Sequence, residues 1–226
     1  MKTIGICIPI IEGGVVCHQE IGREAMRRGI AYPPIVTHTP PFEGINQDVK
    51  SGNFDSLAEI LSESINRTAQ AGAEFAIIPS NTPHIVFDET AKHSTIPVLS
   101  ILDVTANHCE KHGYKRVGIL GTIPTVRRGL YDASLAKRGI APVYTSELEQ
   151  DRVNDIIHTE LICGIFLNET RNELVGIANR LAAKCDAIIL GCTELPLILD
   201  EENCGIQVVD TTRILAHTAL DFAIKE

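Results

Sequence analysis

Asp186-Ala187-Ile188-Ile189-Leu190-Gly191-Cys192-Thr193-Glu194 is an apolar run that ends abruptly in small and polar residues. Four aliphatic residues bounded by Asp and Gly are too few for a helix and predict a strand buried on both faces. A second run, Glu74-Phe75-Ala76-Ile77-Ile78-Pro79-Ser80, lies 112 residues earlier and has the same form: an acid, an apolar stretch, a breaker, then a small polar side chain. Two further pairs keep nearly this spacing. Lys2-Thr3-Ile4-Gly5-Ile6 matches Lys115-Arg116-Val117-Gly118-Ile119, and Ile96-Pro97-Val98-Leu99 matches Ile206-Gln207-Val208-Val209. Such a repeat predicts two similar lobes, each of about half the chain.

Working outward, short apolar runs alternate with longer helix-period segments. Strands are predicted at Thr3–Ile8, Ile35–His38, Phe75–Ile78, Val98–Ile101, Val117–Leu120, Ala187–Leu190 and Ile206–Val209. Helices are predicted at 17–28, 54–72, 102–112, 125–137, 151–162, 169–184 and 211–224. This alternation is the pattern of α/β folds with parallel sheets and crossover helices. The expected fold class is α/β, with two pseudosymmetric lobes and an active site in the cleft between them. The expected boundaries are 1–100 for the first lobe, 101–210 for the second, and 211–226 for a terminal helix returning to the first lobe.

Composition narrows the function. The net charge of -9 disfavours nucleic acid and anionic lipid as partners. No apolar run approaches the ~20 residues that span a bilayer, and residues 1–11 lack a signal-peptide pattern. The seven cysteines are odd in number and form no C-x-x-C pair, which fits neither a disulfide framework nor a zinc ribbon. A cytoplasmic chain with reduced thiols is expected.

In open α/β sheets, ligands bind beyond the carboxyl ends of the strands. Two equivalent loops therefore stand out: Ser80-Asn81-Thr82 and Cys192-Thr193-Glu194. Each follows a buried strand and precedes a predicted helix, where free N–H groups gather. Asn81, Thr82 and Thr193 add side-chain donors for a carboxylate. Cys192 sits where a helix terminus is expected to lower the thiol pKa toward neutrality and make it a general base. Ser80 is a weaker acid, and His84, four residues on, is the nearest base that helical spacing offers it. Glu194 has two readings, orienting Cys192 or accepting a substrate ammonium, beside a plain answer to a helix dipole. Thr122 and Thr125 form a third polar loop after Val117–Leu120. Pro9–Gly14 reads as its counterpart in the first half. There is no G-x-G-x-x-G and no P-loop lysine, so nucleotide binding is unsupported.

In this order and spacing, the segments resemble the aspartate/glutamate racemase superfamily. They are Met1–Ile6, Asn81-Thr82-Pro83-His84, Gly118-Ile119-Leu120-Gly121-Thr122, Leu190-Gly191-Cys192-Thr193-Glu194 and Asp210-Thr211-Thr212. The resemblance spans nearly the whole chain. It implies a homodimer that needs no pyridoxal phosphate, other cofactor or metal. It also implies an amino acid or small dicarboxylic acid as substrate, deprotonated and reprotonated by two residues on opposite faces of its α-carbon. Carried over, those residues are Cys192 and Ser80, where the family's Cys-Asn-Thr reads Ser80-Asn81-Thr82. A thiol facing a hydroxyl implies unequal rates for the two enantiomers. The leading expectation is a cofactor-independent amino-acid racemase for aspartate, glutamate or several amino acids. A single-thiol decarboxylase or isomerase of a small dicarboxylic acid, and a binding protein that has lost turnover, are the alternatives.

Overall fold

In chain order, the computed structural model, which describes residues 1–225, runs β1 (Ile4–Cys7), α1 (Ile11–Arg27), β2 (Ile35–His38), α2 (Phe42–Ser51), α3 (Phe54–Gln70), β3 (Phe75–Ile77), α4 (Phe87–His93), β4 (Val98–Leu99) and α5 (Ile101–Lys111). The second half continues β5 (Arg116–Gly121), α6 (Ile123–Arg127), α7 (Asp132–Ala136), β6 (Ala141–Val143), α8 (Glu147–Thr159), α9 (Asn168–Ala182), β7 (Ala187–Gly191), α10 (Glu201–Cys204), β8 (Gln207–Asp210) and α11 (Thr211–Ile224). The described residues form two compact units: Met1–Val104 together with the chain from Thr212, and Thr105–Thr211.

Each unit holds one four-stranded sheet, ordered β2-β1-β3-β4 in the first and β6-β5-β7-β8 in the second. All strand pairs are parallel. The two orders are the same, and so are small details. The Thr3 N–H donates to the Glu74 carboxylate at 2.7 Å, and the Arg116 N–H donates to the Asp186 carboxylate at 2.9 Å. These are the acids that open the two repeated runs. Gly5 and Gly118 also correspond. A Cβ at Gly5 would lie 2.5 Å from Thr68 Oγ1 at the end of α3, and one at Gly118 would lie 2.6 Å from Leu181 at the end of α9. Glycine in the central strand lets the crossover helix close on each sheet.

The first unit's core joins Cys7, Ala76 and Ile78 to Leu57, Leu61 and Ile65 of α3. The second joins Leu120, Ile188 and Leu190 to Val153, Ile156 and Ile157 of α8 and Leu174, Ile177 and Leu181 of α9. The three- or four-residue spacing on each helix makes one apolar stripe against the sheet. Within the first unit, α11 is tied down by its own contacts. The Lys2 N–H donates to the Ala223 carbonyl at 2.8 Å, and the Phe222 ring lies 4.6 Å from that of Phe75.

Several predicted boundaries shift. Pro9–Gly14 is not a loop: α1 starts at Ile11 and carries Gly13 and Gly14 inside it. Gly14 is seated on Ile8, where a Cβ would come within 2.3 Å of the isoleucine side chain. The single helix expected over 125–137 is two short ones, separated at Gly129, whose φ is +59°. α8 begins four residues before its predicted start. A capping box fixes it: the Glu149 N–H donates to Ser146 Oγ, and the Ser146 N–H donates to the Glu149 carboxylate. β6, α2, α4 and α10 are additional. β6 contains Pro142, which a strand tolerates at a sheet edge, the position β6 holds.

Candidate active site

The thiol sits at the end of β7. Gly121 and Gly191 face each other in the β5–β7 ladder, so Thr122 and Cys192 leave the sheet edge side by side. There is little room for a side chain at either glycine. A Cβ on Gly191 would stand 3.1 Å from the Leu120 carbonyl and 3.2 Å from the Thr125 methyl. Thr125 thus lies over the strand ends, fully buried, and its hydroxyl is 3.2 Å from that of Thr122. Thr122, Thr125, Cys192, Thr193 and Glu194 are brought together on one edge. At the end of β8, Thr211 Oγ1 donates to the Leu190 carbonyl at 3.2 Å and fixes the last turn of β7.

After Cys192 the chain makes a three-residue 3-10 turn, Leu195–Leu197, in place of the expected α-helix. This turn folds Glu194 back onto the thiol. Cys192 Sγ donates to Glu194 Oε2 at 2.8 Å, and Thr193 Oγ1 donates to the same oxygen at 2.8 Å. Glu194 is 3 % exposed, and its second oxygen, Oε1, is buried with no hydrogen-bond partner. A buried carboxylate oxygen without a donor is costly.

This arrangement reverses the sign expected for the thiol. Burial pushes the Cys192 pKa well up, and the charge of Glu194 and its hydrogen bond push it further. The backbone amides of Thr193 and Glu194 do face the sulfur and act the other way, but they are outweighed. The thiol is therefore held protonated, hydrogen-bonded to the Glu194 carboxyl group.

The first unit's loop has a different character. Ser80, Asn81 and His84 are buried, and a 3-10 turn over Thr82–Val86 follows them. His84 Nδ1 donates to the Ser80 carbonyl at 2.8 Å, and Nε2 accepts from the Ile101 N–H at 3.1 Å. Both ring nitrogens are thus spent on backbone groups. Burial lowers the imidazole pKa to about 4, so the ring is neutral. It is not placed as a base for the Ser80 hydroxyl; it pins the turn to the start of α5. Ser80 Oγ has no hydrogen-bond partner among the described residues.

One supporting residue, Ser100, stands outside the site segments singled out from the sequence; it caps α5 through the Asp103 N–H. Carried one residue beyond Leu99 and Val209, the repeat sets Ser100 against Asp210.

Two sheets of one strand order, each ending in a buried polar turn and one bearing a thiol–carboxylate pair, define a duplicated α/β protein equipped for proton transfer. Residues 6–219 match the family model described as Asp/Glu/Hydantoin racemase, and the chain belongs to that family. It is similar to the broad specificity amino-acid racemase RacX of Bacillus subtilis (strain 168), with 24% identity over 168 residues, 74% of this chain and 73% of the relative. An aspartate racemase homologue from Pyrococcus horikoshii OT3 superposes with a TM-score of 0.86 at 27% identity, covering 100% of both chains. The Picrophilus torridus aspartate racemase has a TM-score of 0.77 at 25% identity, covering 100% of this chain and 96% of the other.

Proposed function

We propose that this chain is an amino-acid racemase that exchanges the α-proton of its substrate by acid/base catalysis, without a cofactor or metal. The observation that carries the reading is the buried Cys192–Glu194 pair, 2.8 Å apart at the edge of β7. A carbon acid needs a strong, desolvated base, and a buried thiolate is one. Glu194 Oε1 is a ready acceptor for the α-ammonium group. Binding that cation offsets the carboxylate charge that raises the thiol pKa; Glu194 stays ionised against the ammonium and the thiol proton passes to solvent as the thiolate forms. Thr122, Thr125, Thr193, Asn81 and Thr82 supply donors for the α-carboxylate. Ser80 is the second proton-transfer group in this reading. The same reading makes the enzyme a cytoplasmic homodimer, its reduced thiols suited to that compartment. No helix among the described residues is long and apolar enough to cross a membrane.

The test is deuterium wash-in at the α-carbon of D- and L-amino acids, followed with circular dichroism. Exchange with inversion is the expected result, lost in Cys192→Ala. A second reading rests on one fact: only one of the two equivalent turns carries a thiol. A single thiol suffices for decarboxylation of a small malonate-type acid. Carbon dioxide release without α-proton exchange on any amino acid would favour it.

A further inference from the structure

The edge that carries Cys192 also carries an unusual run of exposed apolar side chains. Residues 183–186 join the end of α9 directly to the start of β7, and Leu181 packs against Gly118 of β5. The 15 residues of α9 rise about 22 Å, more than the length of β7 beside them. The helix therefore starts level with the carboxyl edge, where Cys192 stands. The chain enters it through Ile162-Cys163-Gly164-Ile165-Phe166-Leu167. Ile162, Ile165, Phe166 and Leu167 are all exposed, the last two by 43% and 49%. Leu161, at the base of this segment, belongs to the same buried cluster as Cys192 and Leu195. The apolar segment thus grows out of the core that holds the thiol. Leu197, five residues after Cys192, is also exposed.

The first unit repeats the feature on its own edge. Ile11 and Phe42 open the helices that follow β1 and β2, and both are exposed. Single exposed apolar residues are ordinary, but contiguous ones mark a binding surface. A segment built to read a side-chain carboxylate would carry a guanidinium, an ammonium or hydroxyl donors. Residues 162–167 carry none.

Resting on the racemase reading above, we infer that Ile162, Ile165, Phe166 and Leu167 form the wall that reads the substrate side chain, and that the preferred substrate is an amino acid with an apolar side chain. Such a wall discriminates by size and desolvation, at roughly 10- to 200-fold for each methylene gained or lost. It disfavours aspartate and glutamate, whose side-chain charge would lose its water against it.

The experiment compares kcat/KM for α-deuterium exchange on leucine, methionine and phenylalanine with that on aspartate and glutamate. Wild-type enzyme is run beside Phe166→Lys and Phe166→Ser, with sedimentation velocity on each. The wild type is expected to favour the apolar set by at least about tenfold. Phe166→Lys should lower kcat/KM for that set about tenfold, mainly through KM, and spare or raise exchange on aspartate. Phe166→Ser should weaken the apolar set without the gain on aspartate. Exchange confined to aspartate and glutamate in the wild type would overturn the inference and leave the racemase reading standing. So would a Phe166 variant that shifts the sedimentation coefficient with unchanged kinetics, since the wall would then be a contact between copies of the chain. No exchange on any amino acid would overturn the reading, and this inference with it.

Discussion

The ends of β3 and β7 occupy the same place in sheets of the same order, yet they are chemically unlike. At β7 the 3-10 turn returns Glu194 to the thiol, with the carboxylate buried and one oxygen unsatisfied. At β3 the turn returns His84 to the backbone, with both nitrogens satisfied and neither bonded to the Ser80 hydroxyl. One copy of the duplicated fold has kept a proton acceptor beside its first residue. The other has spent the equivalent turn on rigidity. The difference is one of pKa and partner, not of backbone, and it predicts that the two ends contribute unequally to any reaction.

The largest effect should come from the better-equipped end. Cys192→Ala is expected to reduce α-proton exchange at least ~10³-fold, with the thermal midpoint little changed; isotope exchange and a melting curve check both parts. Glu194→Gln should come next, with a loss of ~10²-fold. It also removes the charge that helps push the thiol pKa up, while the amide oxygen can still accept from the thiol. The pH profile of Cys192 alkylation by iodoacetamide should therefore move to lower pH in this variant. An unmoved profile would mean that burial alone sets the thiol.

The weaker end gives smaller and opposite changes. Ser80→Cys should raise exchange in the slower direction about tenfold and bring the two enantiomers closer in rate, read from initial rates with each pure isomer. Unchanged asymmetry would show that the hydroxyl is not the limiting partner.

His84 sharpens the comparison through stability. Its folded pKa of about 4 lies below the ordinary histidine value, so the unfolded chain binds the proton more tightly. Stability from the neutral ring is fully present above about pH 6.5 and falls as the pH drops toward 4, by about 3 kcal/mol. Urea melts across that range should show the loss in wild type and a flatter response in His84→Phe. At pH 7 the variant should cost about 2 kcal/mol, because the Ile101 N–H and the Ser80 carbonyl lose their partner. The scale of this effect at pH 7 is comparable to one good buried hydrogen bond and its desolvation.

Much of the fold was legible from local pattern. Ile35–His38 is a strand with the predicted bounds, flanked by Pro33-Pro34 and Pro40-Pro41, and Thr211–Ile224 a helix with the predicted bounds, its apolar residues recurring at helical spacing. α2 was missed although Phe42, Ile45 and Val49 keep helical spacing, because its N-cap, Pro41, offers no side-chain cap to mark the start. α8 was misplaced although Ser146 and Glu149 carried a readable capping box. Gly13-Gly14 reads as a loop in isolation. It is helical because Ile8, a residue outside the helix, fills the space beside it.

The sequence by itself determined the duplication, the parallel α/β alternation and the two strand-end turns, since apolar period and small polar residues act within a few positions of the chain. Only the tertiary structure decided what those turns can do. The His84 ring is claimed by an amide 17 residues away, and Glu194 is folded onto the sulfur by a 3-10 turn rather than carried off along an α-helix. Burial then turned the thiol pKa upward, against the local amides. Protonation depends on what surrounds a group in space, and that is set by contacts between residues whose spacing in sequence carries no signal.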